Sequence, residues 1–335
     1  MWMSWLAVLG GLIFLVWSAE RFVHGAAALA RNLGVSPLII GMTIMGFGTS
    51  APEMLVSGIA ASSGNPGMGI GNALGSNIAN IALVLGATAL IMPLTVGSGI
   101  LRREFPVLFA VTLLAGALLL DGELDRFDGT ILLGSTALLV FWMIWLGKRS
   151  QSVTTDVHPA TSLETADPLT SEFEREVPAS LSTGQAIFWA VLGLVALVLS
   201  SKLLVWGAVD IARELGVSDL VIGLTIIAIG TSLPELAASV MSALKGEDDM
   251  AVGNVIGSNM FNLLAVLALP GLIAPSILEP AVLQRDFPVV VGLTLVLFLM
   301  AYGFRSPGRI NRLEGGLLLA GFAGYMAWLG MTGLN

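Results

Sequence analysis

The sequence predicts an all-α polytopic membrane protein, with ten transmembrane helices arranged as two inverted five-helix repeats. Three observations predict it. Of 335 residues, 56% are hydrophobic and only 11% charged, with a mean hydropathy of +0.89; a soluble domain carries about 25% charged residues. Apolar runs close to the ~20 residues that cross a bilayer recur along the whole length. Finally, Gly41-Met-Thr-Ile-Met-Gly-Phe-Gly-Thr-Ser-Ala-Pro-Glu53 returns as Gly223-Leu-Thr-Ile-Ile-Ala-Ile-Gly-Thr-Ser-Leu-Pro-Glu235, 182 positions later.

The first apolar segment, roughly 4–30, begins directly after Met1-Trp2-Met3 without a basic n-region or a small-residue cleavage site, and reads as a retained helix. The second, about 36–62, contains the opening motif. The third, about 67–92, contains Gly71-Asn-Ala-Leu-Gly-Ser-Asn-Ile-Ala-Asn80, matched by Gly253-Asn-Val-Ile-Gly-Ser-Asn-Met-Phe-Asn262. The fourth, about 104–120, follows Arg103-Glu-Phe-Pro106, matched by Arg285-Asp-Phe-Pro288. The fifth, about 127–147, follows Arg126-Phe-Asp-Gly129, matched by Arg312-Leu-Glu-Gly315 at a slightly larger offset. Segments at about 183–212, 218–244, 249–274, 286–303 and 313–332 complete the second unit. The chain therefore divides into repeats 1–147 and 183–335 joined by a linker, 148–182, with Asp156, Glu164, Asp167, Glu172, Glu174 and Glu176 among its Ser, Thr and Pro residues. That composition reads as a solvated connection without a packed core.

Five segments per unit is an odd number, so the second unit enters the membrane from the opposite side. Lys and Arg then set the hand. With both termini outside, eleven Lys/Arg fall at cytoplasmic ends, from Arg21 and Arg31 through Lys148 and Arg149 to Arg309 and Arg312. Three remain outside (Arg126, Arg213, Arg285), and Lys202 lies inside a segment. The linker is expected to be cytoplasmic, in a multi-pass protein of the inner or plasma membrane.

The polar residues of the repeated motifs stand where polar residues are costly. Glu53 and Glu235 are ionisable groups inside apolar segments, by default functional, and paired in corresponding places of two halves they point to a midplane transport site. Pro52 and Pro234 remove a backbone donor and break the helix, so nearby carbonyls, Gly46 and Ala228 among them, are expected to be exposed to a cavity. Thr49 and Ser50 precede Glu53 by four and three residues and share its face; Thr231 and Ser232 stand likewise to Glu235. Carboxylate, hydroxyl and carbonyl oxygens suit hard cations such as Ca²⁺ or Na⁺. Asn72, Ser76 and Asn80, spaced by four, form one helix stripe, as do Asn254, Ser258 and Asn262. Asn72 and Asn254 read as interhelical glue; Ser76, Asn80, Ser258 and Asn262 read as cation ligands. Glu20, Arg21 and Lys202 read as snorkelling or structural pairing.

On these four motifs the chain resembles the cation/Ca²⁺ antiporter superfamily, in its prokaryotic sodium/calcium exchanger-like branch. The resemblance covers both repeats and leaves out the linker. It implies the sodium/calcium exchanger fold, and a central Ca²⁺ site made by Glu53, Glu235, Thr49, Thr231 and the Gly46 and Ala228 carbonyls. It also implies flanking Na⁺ sites that use Ser50, Ser76, Ser232 and Ser258, and a sliding pair formed by segments 4–30 and 183–212. Asn80 and Asn262 are both neutral where some potassium-dependent relatives carry an acid. That departure argues against K⁺ co-transport, and the repeated Gly-Thr-Ser favours Na⁺ over H⁺.

The expected activity is therefore alternating-access exchange of Ca²⁺ for Na⁺, with proton coupling as the alternative and a cation channel as a remoter one. An enzyme is not expected: there is no Cys, the two His residues cannot build a zinc centre or triad, and no His-Glu-x-x-His occurs. No resident cofactor is expected, only transported Ca²⁺ and Na⁺. The partner is the lipid bilayer, with no nucleic acid and no obligate protein partner.

Overall fold

A computed structural model describes residues 2–33, 35, 37–155, 181–215, 228–302 and 308–332. Most of the linker (156–180) and the stretch 216–227, which includes the start of the Gly223–Glu235 repeat, lie outside the described residues.

The described chain is helical. Helix α1 is Trp2–Leu33, and α2 covers 37–49 with a π-helical turn at Gly41–Met45. Next come α3 (Ala51–Ser62), α4 (Pro66–Ile91), α5 (Ser98–Leu119) and α6 (Arg126–Thr155). The second half supplies α7 (Thr183–Glu214), α8 (Ala228–Thr231), α9 (Leu233–Leu244), α10 (Asp248–Ile273), α11 (Val282–Ala301) and α12 (Arg312–Thr332). Helices α3 and α4 start and stop 182 positions before α9 and α10. Among the described residues six helices are long and apolar enough to cross a membrane, and the apolar helices Glu104–Leu119 and Leu233–Leu244 are shorter.

Two boundaries differ from expectation. Helix α5 starts at Ser98, not near 104, because Gly97 is extended (φ −64°, ψ 143°) and the next residue can open the helix. Helix α6 runs past Trp145 to Thr155, so the linker expected from Lys148 begins as helix. Its polar residues continue the turn because nothing in 148–155 is Gly after Gly147 or Pro.

Four short strands record the relation of the halves. Strand β1 (Leu94–Val96) pairs antiparallel with β4 (Gly308–Ile310), and β2 (Glu123–Leu124) pairs with β3 (Ser276–Ile277). The 22 residues of α5 separate β1 from β2, about 33 Å of helix, so the two ribbons sit at opposite ends of the bundle. Each contains one strand from each half. The 182-residue offset carries β1 onto the start of β3, and the hydroxyls of Ser18 and Ser200, also 182 apart in sequence, meet at 3.4 Å.

Burial separates centre from periphery. In the most apolar window of each helix, 83% of α10 and 72% of α4 is buried, against 33% of α1 and 28% of α7. The exposed faces of the outer helices are large and apolar: Trp2, Leu6, Ile13, Phe188, Val195 and Leu199. Such a surface requires a hydrocarbon solvent. The protein is an integral, multi-pass membrane protein.

Helices α1 and α7 pack through glycines. A Cβ on Gly193 would stand 2.4 Å from the backbone nitrogen of Phe22, and one on Gly25 would stand 2.4 Å from that of Ala190. Their symmetry mates Gly11 and Gly207 face Leu204 and Ser4 in the same way. Absence of a side chain lets the backbones touch, which is how helices associate where no water drives them together. Glu20 pairs with Lys245 at 3.8 Å, not with Lys202, and Arg21 lies over the rings of Trp17 and Trp189.

Candidate cation site

Each half carries one broken helix. Pro52 and Pro234 occupy the first turns of α3 and α9, and the breaks are single residues: Ser50 (φ −80°, ψ 0°) and Ser232 (φ −90°, ψ 5°). These angles lie in the sparsely used bridge region. The interruption is tighter than the unwinding expected from the sequence. In particular the Gly46 carbonyl is not bare: it accepts from the Ser50 N–H at 3.2 Å and from the Ser258 hydroxyl at 3.3 Å. Pro fits the first turn because those N–H groups have no helical partner anyway, so little backbone has to open.

The breaks place Glu53 and Glu235 in the first turns of α3 and α9, where the helix dipole favours negative charge. Both residues are fully buried, and each lies in the other's electrostatic field. Ser50 Oγ donates to Glu235 Oε1 at 3.5 Å, across the halves. Among the described residues, Glu53 Oε1 and Oε2 and Glu235 Oε2 have no hydrogen-bond partner. A buried carboxylate without a partner costs several kcal/mol, so two together call for a bound cation or for protonation. Among the described residues no group of three or more His, Cys, Asp or Glu side chains gathers. The remaining oxygens near the pair are neutral.

Those oxygens come from both halves. Thr49 Oγ1, bonded to the Met45 carbonyl at 2.9 Å, is 3.3 Å from Asn254 Oδ1 and 3.4 Å from Ser258 Oγ. Asn80 and Asn262 are buried, and among the described residues neither side-chain polar atom of either one has a partner. Each opens a π-helical turn, Asn80–Leu85 in α4 and Asn262–Val266 in α10; such turns recur at functional sites because they re-aim side chains and free backbone groups. Ser76 is buried, as is Ser232, whose hydroxyl is unpartnered. Thr231 is half-buried, and Ala228 begins α8.

Asn72 and Asn254 act as glue. Asn72 Nδ2 donates to the Glu53 carbonyl (3.0 Å) and to Ser57 Oγ (3.1 Å). Asn254 Nδ2 donates to the Glu235 carbonyl (3.3 Å) and to Ser239 Oγ (2.9 Å). Each ties a central helix to the backbone of the residue that carries the carboxylate. Asn254→Ala would remove the amide donor from buried Ser239 Oγ and the second donor from the Glu235 carbonyl, at a cost of about 1–3 kcal/mol. A thermal unfolding midpoint unchanged from the native protein would refute this role.

The reading of the sequence passed over Asn77, Asn259, Ser57 and Ser239. Asn77 Oδ1 and both polar atoms of Asn259 are buried without partners. The signal was present: Asn77 and Asn259, like Ser57 and Ser239, are identical residues 182 apart.

The halves are chemically alike but unequally covered. Gly253, Asn254 and Thr49 are buried, whereas Gly71 is exposed and Asn72 and Thr231 are half-buried. A cavity of about 320 Å³ reaches Ser76 and Thr231 from the exposed side.

Comparison with known proteins agrees with this architecture. The family described as "Sodium/calcium exchanger protein" matches residues 3–145 and 185–331, leaving out the linker. The chain is 51% identical over 318 residues to the putative antiporter CaxA of Alkalimonas amylolytica, covering 95% of this chain and 96% of that one. It is 31% identical to the sodium/calcium exchanger MaX1 of Methanosarcina acetivorans, covering 97% and 98%. Among solved structures, the sodium-calcium exchanger NCX_Mj superposes with a TM-score of 0.79 at 33% identity, over 97% of this chain and 98% of that one. A match that spans both halves and stops at the linker tracks the repeated motifs, and with them the two buried carboxylates: the chain belongs to the sodium/calcium exchanger family, as a membrane antiporter and not an enzyme.

Proposed function

We propose that the protein exchanges Ca²⁺ for Na⁺ across the cell membrane by alternating access, through ten transmembrane segments in two inverted five-segment repeats. The observation that carries this reading is the buried pair Glu53 and Glu235, three of whose four carboxylate oxygens lack a partner among the described residues. One Ca²⁺ neutralises the pair. Thr49, Thr231 and the Ala228 carbonyl complete a hard-oxygen shell, with Asn80 and Asn262 adding neutral amide oxygens, while the Gly46 carbonyl keeps its two protein donors. Na⁺ bound at Ser50, Ser76, Ser232 and Ser258 supplies the alternative positive charge that couples the two fluxes. No resident cofactor and no obligate protein partner enter this reading.

The unequal covering of the two halves supports alternation, since an exchanger at rest is open to one side at a time. The glycine-mediated packing of α1 on α7 supports their movement as a single body. The test is counter-transport in proteoliposomes with Na⁺, K⁺ and H⁺ gradients imposed one at a time. Ca²⁺ uptake is expected with the Na⁺ gradient alone. Uptake driven by a proton gradient without Na⁺ would replace Na⁺ by H⁺ as the coupling ion.

The Lys and Arg bias supports outside termini and a cytoplasmic linker. Because the chain has no Cys, Ser162→Cys offers a single thiol. An impermeant thiol reagent is expected to label it in inside-out vesicles only. Labelling in intact cells would invert the topology.

A further inference from the structure

The cavity that reaches Ser76 and Thr231 has a charged mouth which the cation site does not use. It runs along α4 from Met68, which is 52% exposed, to buried Ser76, about 12 Å along the helix axis. Gly67, beside Met68, faces Glu279 just ahead of α11, so the first turns of α4 and α11 share this mouth. On its wall stand Arg285 and Asp286 of α11 and Tyr325 of α12. Arg285 Nε donates to Asp286 Oδ1 at 2.6 Å and Nη2 donates to Oδ2 at 3.1 Å. The Tyr325 hydroxyl donates to Oδ1 at 2.8 Å. Neighbours in a regular helix do not face each other; these two meet within the π-helical turn Val282–Asp286. Their side chains are 24% and 14% exposed, so the pair is shielded from water but borders the route.

We propose that Arg285, Asp286 and Tyr325 form an electrostatic filter at the mouth of the cation route, setting how readily cations enter without binding them at the transport site. This rests on the cavity being a path to Glu53 and Glu235. An unopposed carboxylate at a narrow, low-dielectric entrance concentrates cations, and an unopposed guanidinium repels them. Here the guanidinium clamps the carboxylate in a bidentate pair, leaving the pair close to neutral, while Tyr325 holds Asp286 to α12. The filter is balanced, and each partner pulls entry in the opposite direction.

The two single variants must therefore shift transport in opposite senses. Arg285→Gln uncovers Asp286 and is expected to lower the apparent KM for Ca²⁺ by roughly two- to tenfold. Asp286→Asn leaves Arg285 facing the route and is expected to raise it by a similar factor. Tyr325→Phe frees Asp286 from α12 without changing charge and should give a smaller shift. In each case kcat stays near the native value, because the residues that hold the ion are untouched. The measurement is Ca²⁺ flux in oriented proteoliposomes, with substrate added at the face bearing Met68 and separately at the opposite face. It is made at about 0.01 M and about 1 M ionic strength, where screening lengths are about 30 Å and 3 Å. Opposite KM shifts at the Met68 face that collapse at high salt support the filter. Shifts in the same direction, shifts insensitive to salt, equal shifts at both faces, or a change in kcat alone would overturn it. If Asp286→Asn does not yield monodisperse protein, Arg285→Gln decides by itself, since an unchanged or raised KM refutes the proposal. None of these outcomes touches the Glu53 and Glu235 site, whose failure would be read separately as surviving flux in Glu53→Gln.

Discussion

Glu53→Gln and Glu235→Gln each reduce Ca²⁺ exchange to background while the protein still folds. Gln keeps the shape of Glu and its hydrogen-bonding capacity but removes half of the charge that faces the ion. At an effective dielectric constant of about 20, unit charges 4 Å apart attract by about 4 kcal/mol, and a divalent ion doubles that. If desolvation offsets three-quarters of this term, the remaining loss of about 2 kcal/mol still weakens Ca²⁺ binding about thirtyfold. Stability moves the other way. Both carboxylates are fully buried, and removing a buried, unpartnered charge relieves a folded-state cost. The ion-free variants should therefore melt at or above the native temperature but lose the upward shift that Ca²⁺ confers on the native protein, because a ligand that binds only the folded state stabilises it. The measurements are uptake in proteoliposomes and thermal unfolding with and without Ca²⁺. Near-native uptake by either monodisperse variant would remove that residue from the site.

Gly193→Ala and Gly25→Ala are expected to be the most damaging single-methyl changes in the outer helices. The new carbon would stand 2.4 Å from the nitrogen of Phe22 in one case and of Ala190 in the other, with further backbone atoms within 3.0 Å. Backbone cannot turn aside as a flexible side chain can, so α1 and α7 must separate. Overpacking of this kind costs roughly 1–3 kcal/mol and sometimes more. Gly10 provides the contrast, since a Cβ there meets nothing within 4 Å. Gly10→Ala should leave stability unchanged or raise it by up to about 1 kcal/mol, from the better helix propensity of Ala. Unfolding midpoints in detergent test the pair. If Gly193→Ala melts with Gly10→Ala, the close approach of the two helices is wrong. Transport adds a second readout: under the proposed sliding of α1 and α7 as one body, prising them apart should also slow exchange.

Much of this protein was legible in its sequence because the chain states its plan twice. The 182-residue offset that aligns Glu53 with Glu235 also aligns α3 with α9 and α4 with α10, end to end. Asn72 and Asn254 were legible as glue, since an amide four residues from a small residue on a buried helix needs partners on a neighbour. The Gly46 carbonyl was misjudged: proline chemistry says that a donor is missing, but not how few residues the chain needs to turn the helix around the gap. The π-helical turns at Asn80 and Asn262 left no pattern to read, because they depend on how a whole helix is accommodated between its neighbours.

The sequence by itself determined the class of protein, the existence of two related halves, and the repeated pair Glu53 and Glu235. Hydrophobicity, charge placement and repetition are local properties, and a bilayer leaves a chain of this composition little else to become. Only the tertiary structure decided which oxygens keep their own partners and which are left for a cation. It also decided that Thr49 and its neighbours are covered while Thr231 and Ser76 border a cavity, and that Arg285 and Asp286 stand at its mouth. Identical motifs carry identical chemistry, but in this bundle one copy is covered while the other borders a cavity. That inequality is a property of the packing, and no reading of either repeat alone contains it.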